Sequence, residues 1–327
     1  MPGRGPRPTR HTTVFAYGAA VGLAVDLLLG DPRRGHPVAA FGRAAGAVER
    51  RLWRDHRGRG ALHTALCAGG TVALGALAAR TVRRSRAASV ALTAASVWAV
   101  VGGTTLGREA RAIGGALEAG DLEVARERMP HLVGRDPQAL DGPAMARAVV
   151  ESVAENTSDA VVGALFWGAV AGVPGLLGFR AVNTLDAMVG HKSPRHRRFG
   201  WASARLDDLA GWPGARLTAV LAAAAGGNPR GAVRAWREDA GKHPSPNAGP
   251  VEASFAGALG VRLGGTLSYG GRVEHRPVLN GAGRAVEVTD IDRAVRLSRR
   301  VTGLTLAVCV GGRMIADAVS ARKRRSA

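Results

Sequence analysis

Glu151, Glu155 and Asp159 stand four residues apart in the stretch ESVAENTSDA, 151–160. On an α-helix the spacing i, i+4, i+8 stacks three carboxylates on one face. Like charges at that spacing oppose helix formation, so a compensating cation is expected. Mg²⁺ holding a phosphate suits the pattern, because it takes one or two carboxylates and completes its shell from substrate oxygens and water. The alternative is a solvated acidic face. An apolar run begins at Ala160, which sets these acids at its edge.

Three more stretches carry able side chains. In RAVNTLDAMVG, 180–190, Asn183 and Asp186 are i, i+3 and offer a second metal-binding edge. Lys192, Arg195, Arg197 and Arg198 follow, suited either to phosphate or to lipid headgroups. Arg205 and Asp208 are again i, i+3, readable as a structural ion pair or as a phosphate-binding cation with its orienting carboxylate. In DAGKHPSPNAG, 239–249, Lys242 and His243 precede two prolines and a turn at Asn247. Such a loop presents backbone N–H groups to an anion, and His243 is a candidate acid or base. GDPRRGHPV, 30–38, sets Asp31 and His36 in a rigid turn. There is no GxxxxGK[ST], no GxSxG, no HExxH and no dinucleotide-binding glycine signature, so a P-loop and the common hydrolase and zincin sites are excluded.

The elements that must position these groups are apolar helices. The chain has 327 residues, 45 Lys and Arg against 25 Asp and Glu, and a net charge of +20. Aromatic residues are only 4%, which disfavours a large β-sandwich. Two cysteines exclude a disulfide framework and a CxxC zinc site. The basic residues flank charge-free runs at 61–79, 87–107 and 160–179, each close to the roughly 20 residues that cross a bilayer. A run near 301–320 precedes RKRR, and a shorter run at 14–29 carries Asp26, reading as an uncleaved first span or a re-entrant segment. The expectation is an all-α, multi-pass membrane protein of about four to six spans, a single domain over 1–327. Its motif-bearing segments are 30–60, 108–159 and 180–300.

Gly120–Asp121 reads as a turn with a helix N-cap. Short strands are expected around Leu267–Tyr269 and Val286–Val288, and a helix from Thr289. That helix would hold Arg293, Arg296, Arg299 and Arg300 at the headgroups. The Arg-rich N-terminus, the 80–86 loop and RKRR suggest the cytoplasmic side. A strict six-span count then puts 108–159 outside, unless one short run is not a true crossing. A soluble nucleic-acid binder is disfavoured, since its basic residues should form one stripe rather than flank apolar runs.

DGPAMARAVVESVAENTSD, 141–159, faintly resembles the acidic motif of CDP-alcohol phosphotransferases, but one gap is a residue too long and Glu replaces Asp. A fuller resemblance runs through six blocks in order: DLLLGDPRRGHPV (26–38), ESVAENTSDAVV (151–162), RAVNTLDAMVG (180–190), FGWASARLDDLAGW (199–212), DAGKHPSPNAG (239–249) and FAGALGVRLGG…SYGG (255–271). Together they resemble the adenosylcobinamide-phosphate synthase family of cobalamin biosynthesis (CbiB/CobD type). Departures include Ala160 for Gly, Gly211 for Asn, and His191 for an aromatic or basic residue.

The resemblance implies a multi-pass inner-membrane ligase with its site on the cytoplasmic face. It would join adenosylcobyric acid to (R)-1-amino-2-propanol phosphate with ATP as co-substrate and Mg²⁺ as cofactor. Its partners would be the corrinoid, the bilayer and other membrane enzymes of late cobalamin assembly. On that reading Glu151, Glu155 and Asp159 hold Mg²⁺, with Asn183 and Asp186 as a second edge. Lys192, Arg205, Lys242 and His243 hold phosphates, Asp208 orients Arg205, and Asp31, His36 and Asn247 line the substrate. His243 or a carboxylate takes the amine proton. The rival classes are a lipid-linked CDP-alcohol or prenyl-type transferase and a non-catalytic membrane paralogue.

Overall fold

The computed structural model describes residues 8–32, 35–133, 137–191, 193–269 and 272–326. In chain order the helices are α1 (Arg10–Leu29), α2 (Pro37–Leu52), α3 (Arg57–Val82), α4 (Arg86–Val101), α5 (Gly103–Glu118), α6 (Leu122–Arg128) and α7 (Gly142–Asn156). A π-helical stretch, Thr157–Val162, leads into α8 (Gly163–Leu185), and a second, Asp186–Gly190, leaves it. Then come α9 (Trp201–Ala225), α10 (Pro229–Asp239), α11 (Ala248–Leu259), the strands β1 (Leu263–Tyr269) and β2 (Arg272–Leu279), and α12 (Thr289–Ser326). The all-helical expectation holds, with one antiparallel hairpin, β1–β2, as the sheet among the described residues. The strand expected near 267–269 is found. That expected at 286–288 is not, because Val286–Val288 runs irregularly into α12.

Five segments are long and apolar enough to cross a membrane: Arg10–Leu29, Arg57–Val82, Arg86–Glu118, Gly142–Gly190 and Thr289–Arg324. They coincide with the three charge-free runs and with the runs at 14–29 and 301–320. The chain packs as two compact units.

The first unit comprises 1–102, 163–210 and 304–327. Here α1 lies against α4 through a GAAVG stretch. A Cβ on Gly18 would sit 2.5 Å from Cβ of Thr93, and one on Gly22 would sit 2.6 Å from the Ala94 carbonyl oxygen. Small residues let the backbones approach closely, which is how helices associate where no hydrophobic force separates them from lipid. Leu28, Leu74, Ile315 and other large apolar side chains on α1, α3 and α12 face outward. In water such a surface would be an aggregation liability; in a bilayer it is the solvated one.

α8 is not one continuous helix. Gly172 takes φ 67°, ψ −148°, a conformation open mainly to glycine, and Pro174 follows. Across that break the two arms run back along one another. A Cβ on Gly168 would meet Leu176 at 2.7 Å, and Gly163 abuts the Phe179 ring. In a straight helix residues 168 and 176 would stand about 12 Å apart. The run 160–179 therefore returns the chain to the end from which it entered and makes no net crossing. The sequence allowed for one short run that is not a crossing; instead 160–179, read there as a full span, turns back at Gly172.

The second unit comprises 103–162 and 211–303. Apart from Glu252, α11, AGPVEASFAGAL, is apolar or small on every side, and it is buried along its whole length. Val149, Val150 and Val153 of α7 share the core with Phe255, Leu263, Leu279 and Ile291. Asp121 caps α6 by accepting from the Val124 N–H, as expected. Arg293 departs from its expected headgroup place: it donates to the buried Asp290 and to the Leu259 carbonyl, because Asp290 needs a cationic partner inside the unit.

Candidate functional site

In the second unit, α7 and the loop ahead of α11 bring two of the chemically able stretches together. Glu151 is 3% exposed, and its Oε1 accepts the Gly264 N–H at 2.8 Å, with Nε of Arg147 4.0 Å away. His243 is buried beside Glu252, Nε2 to Oε1 3.7 Å, and both Glu151 and Arg276 act on it electrostatically. The Ser245 N–H, a fixed donor, reaches Nδ1 of His243 at 3.0 Å. When Nδ1 accepts there, the ring proton is on Nε2. Burial pushes the His243 pKa below its usual value, with Arg276 acting in the same direction. Burial thus favours the neutral form of His243, and its Nδ1 lies within reach of both the N–H and the carbonyl oxygen of Ser245. The sequence left it open as acid or base.

The three carboxylates of 151–159 do not form one stacked face. After Asn156 the helix widens to i→i+5 bonding, helped by Asn156 Nδ2 donating to the Ser152 carbonyl and Thr157 Oγ1 to that of Val153. That shifts Asp159 off the α-helical register. Glu151 points into the core, Glu155 is exposed and Asp159 is half-buried. Among the described residues, no three His, Cys, Asp or Glu side chains gather as a metal cluster. The donors present are hard oxygens, which suit Mg²⁺, but Mg²⁺ here would need substrate phosphate to complete its shell.

Lys242 is ion-paired to Asp239 at 2.6 Å, and Asp239 also accepts the Asn280 N–H. Asn247 accepts from Arg216 at 2.9 Å, and its amide fills the space that a side chain at Gly211 would take.

The remaining candidates lie in the first unit. Asn183 Nδ2 donates to Asp207 at 3.5 Å, joining the 180–190 and 199–212 blocks. Asp186 lies against Gly190, where any Cβ would collide with its carboxylate. Arg205 and Asp208 form an exposed i, i+3 pair at 3.5 Å. His36 caps α2 through Nδ1 and stands 3.7 Å from Asp31. Asp31 in turn packs against Gly102, the left-handed cap of α4. Lys192 lies outside the described residues.

Several polar residues escaped the sequence reading. Arg147 is i−4 to Glu151, a spacing that signals an ion pair on a helix. Glu252, Arg276 and Asp239 carry no local signal. Glu49, His196 and His191 form a chain of contacts at 3.1 and 3.2 Å in the first unit. Burial pushes the Glu49 carboxyl up, but hydrogen bonds from His196 and Arg195 more than offset it and hold it low.

A family model described as "CobD/Cbib protein" matches residues 19–298. A protein of Mycobacterium tuberculosis named "Cobalamin biosynthesis protein CobD" is 55% identical over 290 residues, covering 88% of this chain and 92% of its own. Proteins of the same name from Chromobacterium violaceum and Rhizobium meliloti are each 43% identical. The alignments cover 92% and 84% of this chain and 97% and 90% of theirs. No solved structure matches the chain.

Proposed function

The chain belongs to the CobD/Cbib family, and we propose that it is the ligase of cobalamin biosynthesis that joins adenosylcobyric acid to (R)-1-amino-2-propanol phosphate. The observation that carries this reading is the family match over 19–298, which contains all six blocks in order.

A carboxylate and an ammonium do not condense in water. The corrinoid propionate therefore attacks the γ-phosphorus of ATP, ADP leaves, and an acyl phosphate forms. The amine nitrogen then attacks the acyl carbon and phosphate departs, leaving the amide. Positioning and charge stabilisation supply most of the rate in such transfers. Mg²⁺, when bound, neutralises developing charge on the transferring phosphoryl oxygens. Glu155 and Asp159, the members of the acidic stretch that reach solvent, are its protein ligands in this proposal, with Asn183 and Asp186 as the candidate pair in the first unit. Glu151 instead anchors the Gly264 backbone.

Lys242, Arg205 and Lys192 hold phosphate oxygens, and Asp208 orients Arg205. Asp31, His36 and Asn247 shape the substrate-facing turns. The ammonium must lose a proton before it attacks, and His243 or a carboxylate of the acidic stretch takes it in this proposal; the departing phosphate and solvent carry the second proton away. The corrinoid reaches the enzyme from the cytoplasmic side of the cell membrane, where ATP is also found, and neighbouring membrane enzymes consume the product.

The test is purified, detergent-solubilised protein mixed with adenosylcobyric acid, aminopropanol phosphate, Mg²⁺ and ATP, with product followed by mass spectrometry. Amide that requires both ATP and Mg²⁺ supports the reading. Folded protein that yields none overturns it.

A further inference from the structure

The first unit holds a cavity of about 460 Å³ among membrane-crossing helices. Its walls are apolar: Val14 and Phe15 of α1, Ala76 and Ala79 of α3, Leu92 of α4 and the tip of the α8 hairpin, Val170–Pro174. Its charged lining is basic: Arg10, Arg83 and Arg313. Their places in the sequence explain the arrangement. Arg10 opens α1, Arg83 follows the last residue of α3, and Arg313 sits on α12, so three separate helices each bring one guanidinium to the same end.

Arg313 ties this cavity to the hairpin. The break at Gly172 leaves carbonyls on the first arm without helical partners, and Arg313 Nη1 donates to one of them, that of Ala169. The guanidinium carbon also stands 5.6 Å from the centre of the Phe15 ring. Its Nε is buried with no hydrogen-bond partner among the described residues. The nearby carboxylate, Asp317, accepts both the N–H and the hydroxyl of Thr9. The hydroxyls of Ser89 and Thr93 donate to backbone carbonyls of their own helix. What the lining offers a ligand is therefore positive charge over an apolar wall. Val170 at the hairpin tip is 60% exposed, so the wall continues onto the outer, lipid-facing surface.

We propose that this cavity is a binding site for one anionic phospholipid, its phosphate held by Arg10, Arg83 and Arg313 and its acyl chains lying along the hairpin tip. A soluble phosphate would find the charge but gain nothing from Val14, Phe15, Leu92 and Val173. A zwitterionic lipid would find the wall but place its own cation among the arginines. Basic pockets between membrane helices are where anionic headgroups are recognised.

The experiment is a thermal-unfolding titration of the full chain in a neutral detergent with dioleoyl-phosphatidylglycerol, dioleoyl-phosphatidylcholine or inorganic phosphate. Phosphatidylglycerol is expected to raise the melting temperature saturably, while the other two leave it unchanged. Arg83→Gln, on an exposed helix end, is expected to weaken that titration about five-fold, the share of one arginine at a headgroup. Arg10→Gln gives a second variant, and native mass spectrometry counts retained phosphatidylglycerol directly. Equal shifts with phosphatidylcholine would overturn the charge recognition. An equal shift with inorganic phosphate would overturn the lipid as the occupant. Undiminished binding in folded Arg83→Gln and Arg10→Gln would overturn the cavity as its location.

Discussion

The backbone N–H of Gly264 donates to Oε1 of Glu151 at 2.8 Å across 113 residues of chain. One buried carboxylate thus fixes the start of the β-hairpin onto α7. A hydrogen bond to a charged acceptor contributes about 1.5–3 kcal/mol, and a buried donor left without one costs more than the bond was worth. Glu151→Ala is expected to lower the unfolding free energy by about 3 kcal/mol, read as a lower denaturation midpoint. Glu151→Gln keeps an acceptor oxygen and should lose less than half as much. An alanine variant that melts like the parent would return Glu151 to the catalytic candidates.

His243 gives the unit a pH dependence of known sign. Its folded pKa lies below the usual 6.5, so the unfolded chain binds this proton more readily than the folded one. The stability it contributes is complete above pH 6.5 and is lost as pH falls toward the folded value. Glu252, Glu151 and Arg276 face the ring and set how steep the loss is. The melting temperature should fall between pH 7 and pH 5, and His243→Gln should flatten that part of the profile. A variant with the parent's slope would assign the acid sensitivity to other groups.

Glu155 separates activity from stability. It is exposed, so Glu155→Gln should leave the melting temperature within the small range of surface changes. If it holds Mg²⁺ against phosphate, losing ~3 kcal/mol of charge stabilisation costs on the order of 100-fold in kcat. Initial rates over a Mg²⁺ series decide this. An unchanged rate and Mg²⁺ midpoint would remove Glu155 from the site.

The helices were legible because length and charge-free composition alone mark a bilayer span. Residues 61–79 fall inside α3 and 301–320 inside α12, while 87–107 covers most of α4 and the start of α5 across Gly102. The reversal within 160–179 was not legible. Gly172 and Pro174 announce a break, but the same pair fits a kinked helix that crosses once. Only the approach of Gly168 to Leu176 tells the two apart. The acidic stretch shows the same limit. Counting i, i+4, i+8 assumes an unbroken α-helix, and the helix widens after Asn156, where Thr157 also donates to Ser298, 141 residues on. Arg276 was missed because its approach to His243 is made by folding and leaves no spacing rule in the sequence.

The reversal at Gly172 also bears on the topology. With α8 turning back, α1, α3, α4 and α12 remain as the candidate crossings; such a topology sets Arg10, Arg84 and Arg322 on one side and the α2 connection on the other. Basic residues mark both sides: the N-terminal arginines, the 80–86 loop and Arg322–Arg325 mark one, while Arg43, Arg50, Arg51, Arg54 and Arg57 mark the other. The proposed ATP-dependent reaction would set its site on the cytoplasmic side, and a labelling experiment tests that placement. In a background with Cys67 and Cys309 replaced by Ala, Gly241→Cys and Arg54→Cys should resist an impermeant maleimide in intact cells and react in inverted vesicles. Arg84→Cys should do the reverse. All three residues are exposed, so silence is not a matter of burial. Labelling of Gly241→Cys from outside would sink the cytoplasmic site. Arg84→Cys and Gly241→Cys reacting from the same side would mean that the hairpin crosses after all.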